Sequence, residues 1–176
     1  MEDSSCWFPL DAAIRARKAG RIKALSPNFY GLPTNRSQRH TLDVDCPELL
    51  RLCREDGVDA VVLVANCPVC HQTCSLVARY LEAAGISTIV MGCAKDIVEH
   101  VGVPRFLFSD FPLGNAAGKP RDPASQHFTL DLALKTLESA PAARTTVQSP
   151  LRWSDSHAWK RDYSNVECVA PEELAR

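Results

Sequence analysis

The chemically most promising residues are two cysteines with two residues between them, Cys67 and Cys70, and a histidine, His71, directly after the second. This spacing brings two sulfur atoms within reach of a disulfide bond. A thiol at the start of a helix loses its proton readily, because the helix dipole and the backbone amides favour the thiolate. The motif therefore predicts that Cys67 is a nucleophile, that Cys70 resolves a mixed disulfide and that His71 transfers a proton near neutral pH.

Two other interpretations of the motif stay open. A structural zinc site of this kind needs a second Cys or His pair at similar spacing, whereas the chain offers only single candidates: Cys93, His100 and His127. The two cysteines could instead pack as small apolar side chains. We favour a redox dithiol and predict no metal ligand, because the motif directly follows a β-branched run, at the position where parallel sheets bind ligands.

The elements that must position the motif are predicted from hydrophobic patterns. Residues 58–64 are almost continuously apolar and β-branched, which indicates a strand covered on both faces of a parallel sheet. Asp45 is the predicted cap of the helix at 47–55. The other predicted strands are 21–26, 86–91 and 105–108, and the other predicted helices are 8–19, 73–84, 95–100 and 123–137.

Alternating strands and helices predict an α/β fold: a three-layer sandwich with a mostly parallel, flavodoxin- or Rossmann-like sheet. Residues 1–140 should form this domain. Residues 141–176 are rich in Pro, Ser, Arg and Trp without a period, and we expect an irregular C-terminal extension there.

Further site candidates follow from this fold, because parallel sheets bind ligands beyond the carboxyl ends of their strands. Cys93 follows the strand predicted at 86–91, so we expect it to face Cys67 across the crevice. The other candidates for holding the carboxylate or amino group of a substrate are polar residues expected on the rim beside the third strand: Arg105, Asp110, Asn115 and Lys119.

The composition argues against several classes of protein. With 20 basic and 21 acidic residues, the formal net charge of -1 provides no field to attract nucleic acid or an anionic membrane. No stretch approaches the roughly 20 apolar residues that a membrane span needs, and the first residues lack the features of a signal peptide. We therefore expect a cytoplasmic protein whose eight cysteines are free thiols rather than a disulfide scaffold.

Several segments together carry a family resemblance. They are 8–11 (FPLD), 20–22 (GRI), 56–61 (DGVDAV), 67–71 (CPVCH), 82–86 (EAAGI), 96–105 (DIVEHVGVPR) and 111–115 (FPLGN). This combination resembles the selenoprotein B subunits of glycine, sarcosine, betaine and D-proline reductases, and in particular their cysteine-containing relatives. The resemblance covers about residues 8 to 122.

The resemblance implies a thiol-dependent reductase that acts on a small amino-acid-like substrate as part of a complex. In the selenoproteins the first position of the motif is selenocysteine, and Cys67 stands there in this chain. No cofactor is evident in the chain, although a partner subunit of these reductases often carries a pyruvoyl group. Family members usually begin with a longer N-terminal region, so we expect a homo- or hetero-oligomer with a related subunit. The alternative is a non-catalytic or metal-binding partner subunit that keeps the family fold.

Overall fold

A computed structural model describes residues 3–162, in which four parallel strands form one sheet. The strands are β1 (Ala60–Val64), β2 (Ser87–Gly92), β3 (Arg105–Phe108) and β4 (Thr145–Gln148), and they lie side by side in this order. The register pairs Met91 of β2 with Val64 on one side and with Leu107 on the other. The carboxyl ends of the strands therefore meet at one edge of the sheet.

Helices cover both faces of this sheet. They are α1 (Leu10–Lys18), α2 (Gln38–His40), α3 (Cys46–Glu55), α4 (Pro68–Ala83), α5 (Lys95–Val101), α6 (Pro123–Ser139) and the short α7 (Trp159–Asp162). Because side chains alternate along a strand, Val90 packs with α3, α4 and α5, whereas Met91 packs with α1 and α6 on the opposite face. This arrangement confirms the predicted α/β sandwich with a parallel sheet. None of the helices within residues 3–162 combines the length and apolar character needed to cross a membrane.

The strand predicted at 21–26 is wrong. These residues form bends and irregular backbone outside the sheet, and the chain after them is held at the end of α3 by the carboxylate of Asp56. That carboxylate accepts hydrogen bonds from the hydroxyls of Tyr30 at 2.6 Å and Ser26 at 2.8 Å. These bonds, that of Tyr30 first, lower the pKa of Asp56. An alternating pattern alone does not make a strand where no neighbouring strand is at hand to pair with it.

The predicted cap of α3 is also wrong. The chain is already helical at α2 and passes through a π-helical turn, Thr41–Asp45, directly into α3. Asp45 consequently has helical dihedral angles, and its carboxylate accepts a hydrogen bond from the side-chain amide of Asn35 at 2.7 Å. The cap of the whole helical run is Ser37, whose hydroxyl accepts the backbone N–H of His40.

Strand β4 lies within the segment predicted to be irregular. It pairs in parallel with β3, and Val147 packs against the face of the sheet that α1 and α6 cover. The segment Thr145–Gln148 has only one strongly apolar residue, so its pattern is too weak to indicate a strand by itself. The pairing with β3 decides its conformation, and the expected irregular extension is corrected at these residues.

We predict that β4 is required for stability. A chain that ends at residue 140 exposes the edge of β3 and loses the packing of Val147, so its melting temperature should fall by about 5–10 °C or more. A chain that ends at residue 162 keeps every element described above and serves as the control. Thermal unfolding followed by circular dichroism checks this expectation, and equal melting temperatures for the two chains would contradict it.

Candidate active site

The cysteine motif forms the junction between β1 and α4. Cys67 is the N-terminal cap of α4: its backbone is extended, and its sulfur accepts the backbone N–H of Cys70 at 3.1 Å. Pro68 occupies the first turn, where a residue without an N–H group fits well. The sulfurs of Cys67 and Cys70 are joined in a disulfide, with 4.9 Å between the two Cα atoms. The expectation that all eight cysteines are free thiols is therefore wrong for this pair, because the helix start brings the two sulfurs together. The helix begins five residues before its predicted start at 73, so the whole motif belongs to its first turn.

His71 is fully buried, and both of its ring nitrogens are hydrogen-bonded to backbone groups. Nδ1 lies 2.7 Å from the carbonyl oxygen of Cys67, and Nε2 lies 2.8 Å and 3.1 Å from the backbone nitrogens of Cys93 and Ala94. Since Nε2 must accept from two N–H groups, this pattern assigns the ring proton to Nδ1 and makes the imidazole neutral. Burial is the main cause that lowers the pKa of His71. The geometry therefore argues against the predicted proton transfer.

The absence of a side chain at Gly92 leaves the space that the imidazole occupies. A Cβ atom on this residue would lie 2.7 Å from Cδ2 and 2.8 Å from Nε2 of His71, which is closer than such atoms can approach. The end of β2 therefore needs a glycine so that the ring can reach the next two backbone amides.

Cys93 lies at the carboxyl edge of the sheet, as predicted, and the ring of His71 links its backbone to that of Cys67. Its thiol is free, and the residue is partly buried. Burial raises the pKa of this thiol to about 12, and hydrogen bonds from the backbone amides of Phe111 and Asn115 offset this only in part. Cys93 is thus a neutral thiol at physiological pH, in contrast to a helix-capping cysteine.

The other free cysteines of the described chain are Cys6, Cys46, Cys53 and Cys74, and all four are buried. Burial raises the pKa of each, to about 11 for Cys46 and to about 12 for Cys74. They behave as small apolar core residues, and the hydrogen bond with Gln126 that favours the thiolate of Cys6 has a smaller effect than burial.

Asp110 follows β3 at the same edge of the sheet as the motif. Its carboxylate accepts a hydrogen bond from the ammonium group of Lys160, which lies 2.7 Å away in α7. The segment between β4 and α7 folds back over this loop, and the rings of Trp153 and Phe111 lie 5.5 Å apart between centroids. Asp110 thus has a cationic partner from the same chain.

Asn115 and Lys119 lie in the loop between β3 and α6. The side-chain amide of Asn115 donates to the carbonyl of Pro112 at 3.1 Å, so it stabilises its own turn. The backbone N–H of Lys119 donates to the hydroxyl of Ser125 at the start of α6. The side chain of Asn115 thus stabilises the loop while its backbone amide reaches the thiol of Cys93, and the backbone of Lys119 joins the loop to α6.

The predicted position of Arg105 is wrong. Arg105 is the first residue of β3 and lies at the amino edge of the sheet, opposite the cysteine motif. Its guanidinium donates to the carboxylate of Glu82 at 2.6 Å, and the hydroxyl of Thr88 donates to the same carboxylate at 3.1 Å. The arginine therefore forms a structural ion pair with Glu82. Arg105 does not belong to the rim with the cysteine motif, because it lies where β3 begins and the motif lies where the strands end.

Two polar residues at the carboxyl edge escaped the sequence analysis. Asn66 follows β1 and Ser109 follows β3, and within residues 3–162 no group hydrogen-bonds to the buried side-chain oxygen of either. Their signal was available, since each is a polar residue within two positions of the end of an apolar strand, as Cys93 is. Within the same residues, no group of three or more Cys, His, Asp or Glu side chains is arranged to hold a metal ion.

The neutral state of His71 predicts a dependence of stability on pH. Because the folded-state pKa lies below the ordinary value of 6.5, the unfolded chain takes up a proton first as the pH falls. The free energy of unfolding should therefore decrease from about pH 6.5 downwards, through the lowered pKa. Urea unfolding at several pH values measures this, and the His71→Gln variant should lose less stability over the same interval. Equal losses in the two proteins would contradict the prediction.

The close contact at Gly92 predicts that Gly92→Ala displaces the imidazole and destabilises the protein by about 1–3 kcal/mol. The control is Gly31→Ala, because nothing lies within 4 Å of a Cβ atom placed there. Urea unfolding of both variants gives the comparison. A Gly92→Ala protein as stable as the Gly31→Ala protein would show that the ring tolerates the methyl group.

The chain is similar in sequence to gamma subunits of two reductases. D-proline reductase subunit gamma of Acetoanaerobium sticklandii is 34% identical over 153 residues, which cover 86% of this chain and 63% of the relative. Glycine reductase complex component B subunit gamma of Peptoclostridium acidaminophilum is 24% identical over 151 residues, which cover 84% of this chain and 34% of the relative. No protein-family model and no solved structure matches the sequence.

The chain thus spans less than two thirds of the length of either relative. The predicted resemblance is confirmed at the level of subunits of amino-acid reductases.

Proposed function

We propose that this chain is a subunit of an amino-acid reductase complex and that Cys67 and Cys70 carry its chemistry as a dithiol–disulfide pair. The observation that carries the proposal is the cap of α4, where the sulfur of Cys67 accepts the N–H of Cys70 and is bonded to the second sulfur. Similarity to reductase gamma subunits supports the first part of the proposal, a role as a subunit of such a complex. We further propose that the chain is a cysteine-containing equivalent of the selenoprotein B subunits.

The proposed reaction balances with these two thiols. The Cys67 thiolate, favoured by the helix start, attacks the carbon that bears the amino nitrogen of the substrate: a sulfur–carbon bond forms, and the carbon–nitrogen bond breaks. The electron pair of that bond leaves with the nitrogen, which takes a proton from solvent. The Cys70 thiolate then attacks the sulfur of Cys67. The bond between Cys67 and the substrate breaks, both of its electrons go to the substrate with a proton from solvent, and a disulfide remains. A dithiol donor, acting in the complex, returns the disulfide to two thiols.

The proposed substrate is a small amino-acid-like molecule bound at the carboxyl edge of the sheet. Cys93 and Asp110 are the proposed contacts from the predicted set, because each lies within two residues of the end of a strand at this edge. The side-chain oxygens of Asn66 and Ser109, which have no partner within residues 3–162, mark polar positions in the same row. A related subunit in the complex would complete the site, and we place Asn115 and Lys119 in the supporting loop.

We predict that glutathione disulfide distinguishes the roles of the two cysteines in the reduced protein. The wild type should pass to the intramolecular disulfide and release two glutathione molecules. Cys70→Ser should stop at a mixed disulfide on Cys67, because the resolving thiol is gone, and Cys67→Ser should react far more slowly. Intact-mass spectrometry with peptide mapping follows each product.

The matched control is Cys74→Ser, which removes a buried thiol of the same helix and should behave as the wild type. If Cys67→Ser and Cys70→Ser react equally, or if labelling spreads evenly over all cysteines, the dithiol mechanism is wrong. A non-catalytic partner subunit would then be the better interpretation.

A further inference from the structure

We propose that His71 is a positioning residue: a neutral imidazole that fastens the start of α4 to the end of β2 and thereby orients Cys67, without moving a proton. The inference rests on the proposed dithiol function and concerns a residue of the same motif. A histidine beside a reactive cysteine usually acts as an acid or a base. Here the proposed role of His71 is only to orient Cys67 through hydrogen bonds to the backbone.

The first support is the pattern of bonds around the ring. The carbonyl of Cys67 accepts two hydrogen bonds from His71, from the backbone nitrogen at 3.0 Å and from Nδ1 at 2.7 Å. On the other side of the ring, Nε2 accepts the N–H groups of Cys93 and Ala94. One side chain therefore spans from the cap of α4 to the two residues that follow β2.

The second support is confinement. The side chain of His71 has no exposed surface, and Gly92 leaves no space into which the ring could move. The hydroxyl of Ser75 donates to the carbonyl of His71 at 2.6 Å and adds a tie one turn further along α4. Because the ring is buried and closely packed, it can fix the positions of the backbone groups that it contacts.

The third support is chemical. A second proton on the ring would have to bind Nε2, and it would then face two N–H groups that need an acceptor. Asp96 is the charged group that acts on the imidazole, and its effect is smaller than that of burial. Proton transfer through Nε2 would break both bonds to the end of β2 in every cycle.

Two variants of His71 with amide side chains test the two sets of hydrogen bonds separately. His71→Asn can replace the bond of Nδ1, and His71→Gln can replace the bonds of Nε2. In Asn the amide nitrogen can take the position of Nδ1 and donate to the carbonyl of Cys67, but it is too short to reach the end of β2. In Gln the amide oxygen can take the position of Nε2 and accept from Cys93 and Ala94. Neither amide exchanges protons near neutral pH, so retained function in a variant cannot come from acid–base chemistry.

We expect His71→Gln to keep most of the reactivity of Cys67, within about threefold of the wild type, because it preserves the tie between α4 and β2. His71→Asn should reduce the rate of Cys67 alkylation about ten- to hundredfold, as expected when a reacting group is displaced. Gly92→Ala keeps the imidazole but displaces it, so it should resemble His71→Asn. The measurements are the rate of iodoacetamide labelling against pH and the dithiol–disulfide equilibrium with glutathione.

A control separates positioning from general destabilisation. Thr129 is also fully buried and donates from its hydroxyl to the backbone of α6 at Ser125, on the other face of the sheet. Thr129→Val should lower the melting temperature without changing the pH profile of labelling or the glutathione equilibrium. If His71→Asn behaves in the same way, His71 is only a structural residue and the proposal is overturned.

A second result would also overturn the proposal. If His71→Gln keeps the wild-type glutathione equilibrium but lowers the rate of Cys67 labelling by about 10² to 10⁴, His71 transfers a proton. The glutathione equilibrium needs no substrate. A difference between the Gln and Asn variants there supports positioning even if the wild type fails the test of the proposed reductase chemistry, so the two failures are distinguishable.

Discussion

The hydrogen bonds that the His71 ring makes to backbone groups hold the carboxyl edge of the sheet together. Nε2 accepts the N–H groups of Cys93 and Ala94, and Nδ1 donates to the carbonyl of Cys67. Where a parallel strand ends, its next amides lose the ladder that satisfied the strand, and a buried amide without a partner costs about 1–3 kcal/mol. The imidazole satisfies two of them and at the same time fixes the entry of the chain into α4. Two neighbours fit this contact. Gly92 leaves room for the ring, and the carbonyl of Cys67 accepts a hydrogen bond from Nδ1.

The two cysteines whose backbones the imidazole links lie in different surroundings. The sulfur of Cys67 caps a helix and accepts the N–H of Cys70, a position at which backbone dipoles favour a thiolate once a disulfide is reduced. Cys93 follows the neighbouring strand, yet burial holds the pKa of its thiol at about 12. The backbones of both cysteines contact the same imidazole, yet the surroundings of the two sulfurs differ. One sulfur accepts a backbone amide at the start of a helix, whereas burial raises the pKa of the other.

The sequence predicts the parts of this arrangement that depend on local pattern. The apolar runs at 58–64 and 86–91 are recognisable because strands buried on both faces must be apolar throughout, and the position of Cys67 and Cys93 at one edge follows from parallel topology alone. What depends on partners far away in the chain was not predictable in this way. The strand Thr145–Gln148 exists because β3 pairs with it, and Asp45 is no cap because the helical run begins earlier, at Ser37. The role of His71 belongs to the same group, since its partner nitrogens lie 22 and 23 residues further along the chain.

Polar residues lie at both edges of the sheet, and Arg105 is the example at the amino edge. Its guanidinium donates to the carboxylate of Glu82, which also accepts the hydroxyl of Thr88, and this network of partly buried groups links α4, β2 and β3. Nε of the same guanidinium is nevertheless buried without a partner in the described chain. At the carboxyl edge the side-chain oxygens of Asn66 and Ser109 are buried without a protein partner in the described chain. Buried polar atoms without partners are rare in folded proteins, because each costs free energy that a water molecule or a ligand would recover. Within residues 3–162, unpaired buried polar atoms thus occur at both edges of the sheet. Parallel sheets bind ligands beyond the carboxyl ends of their strands, so the position of Asn66 and Ser109, and not the lack of a partner alone, makes these two residues candidates for a ligand contact.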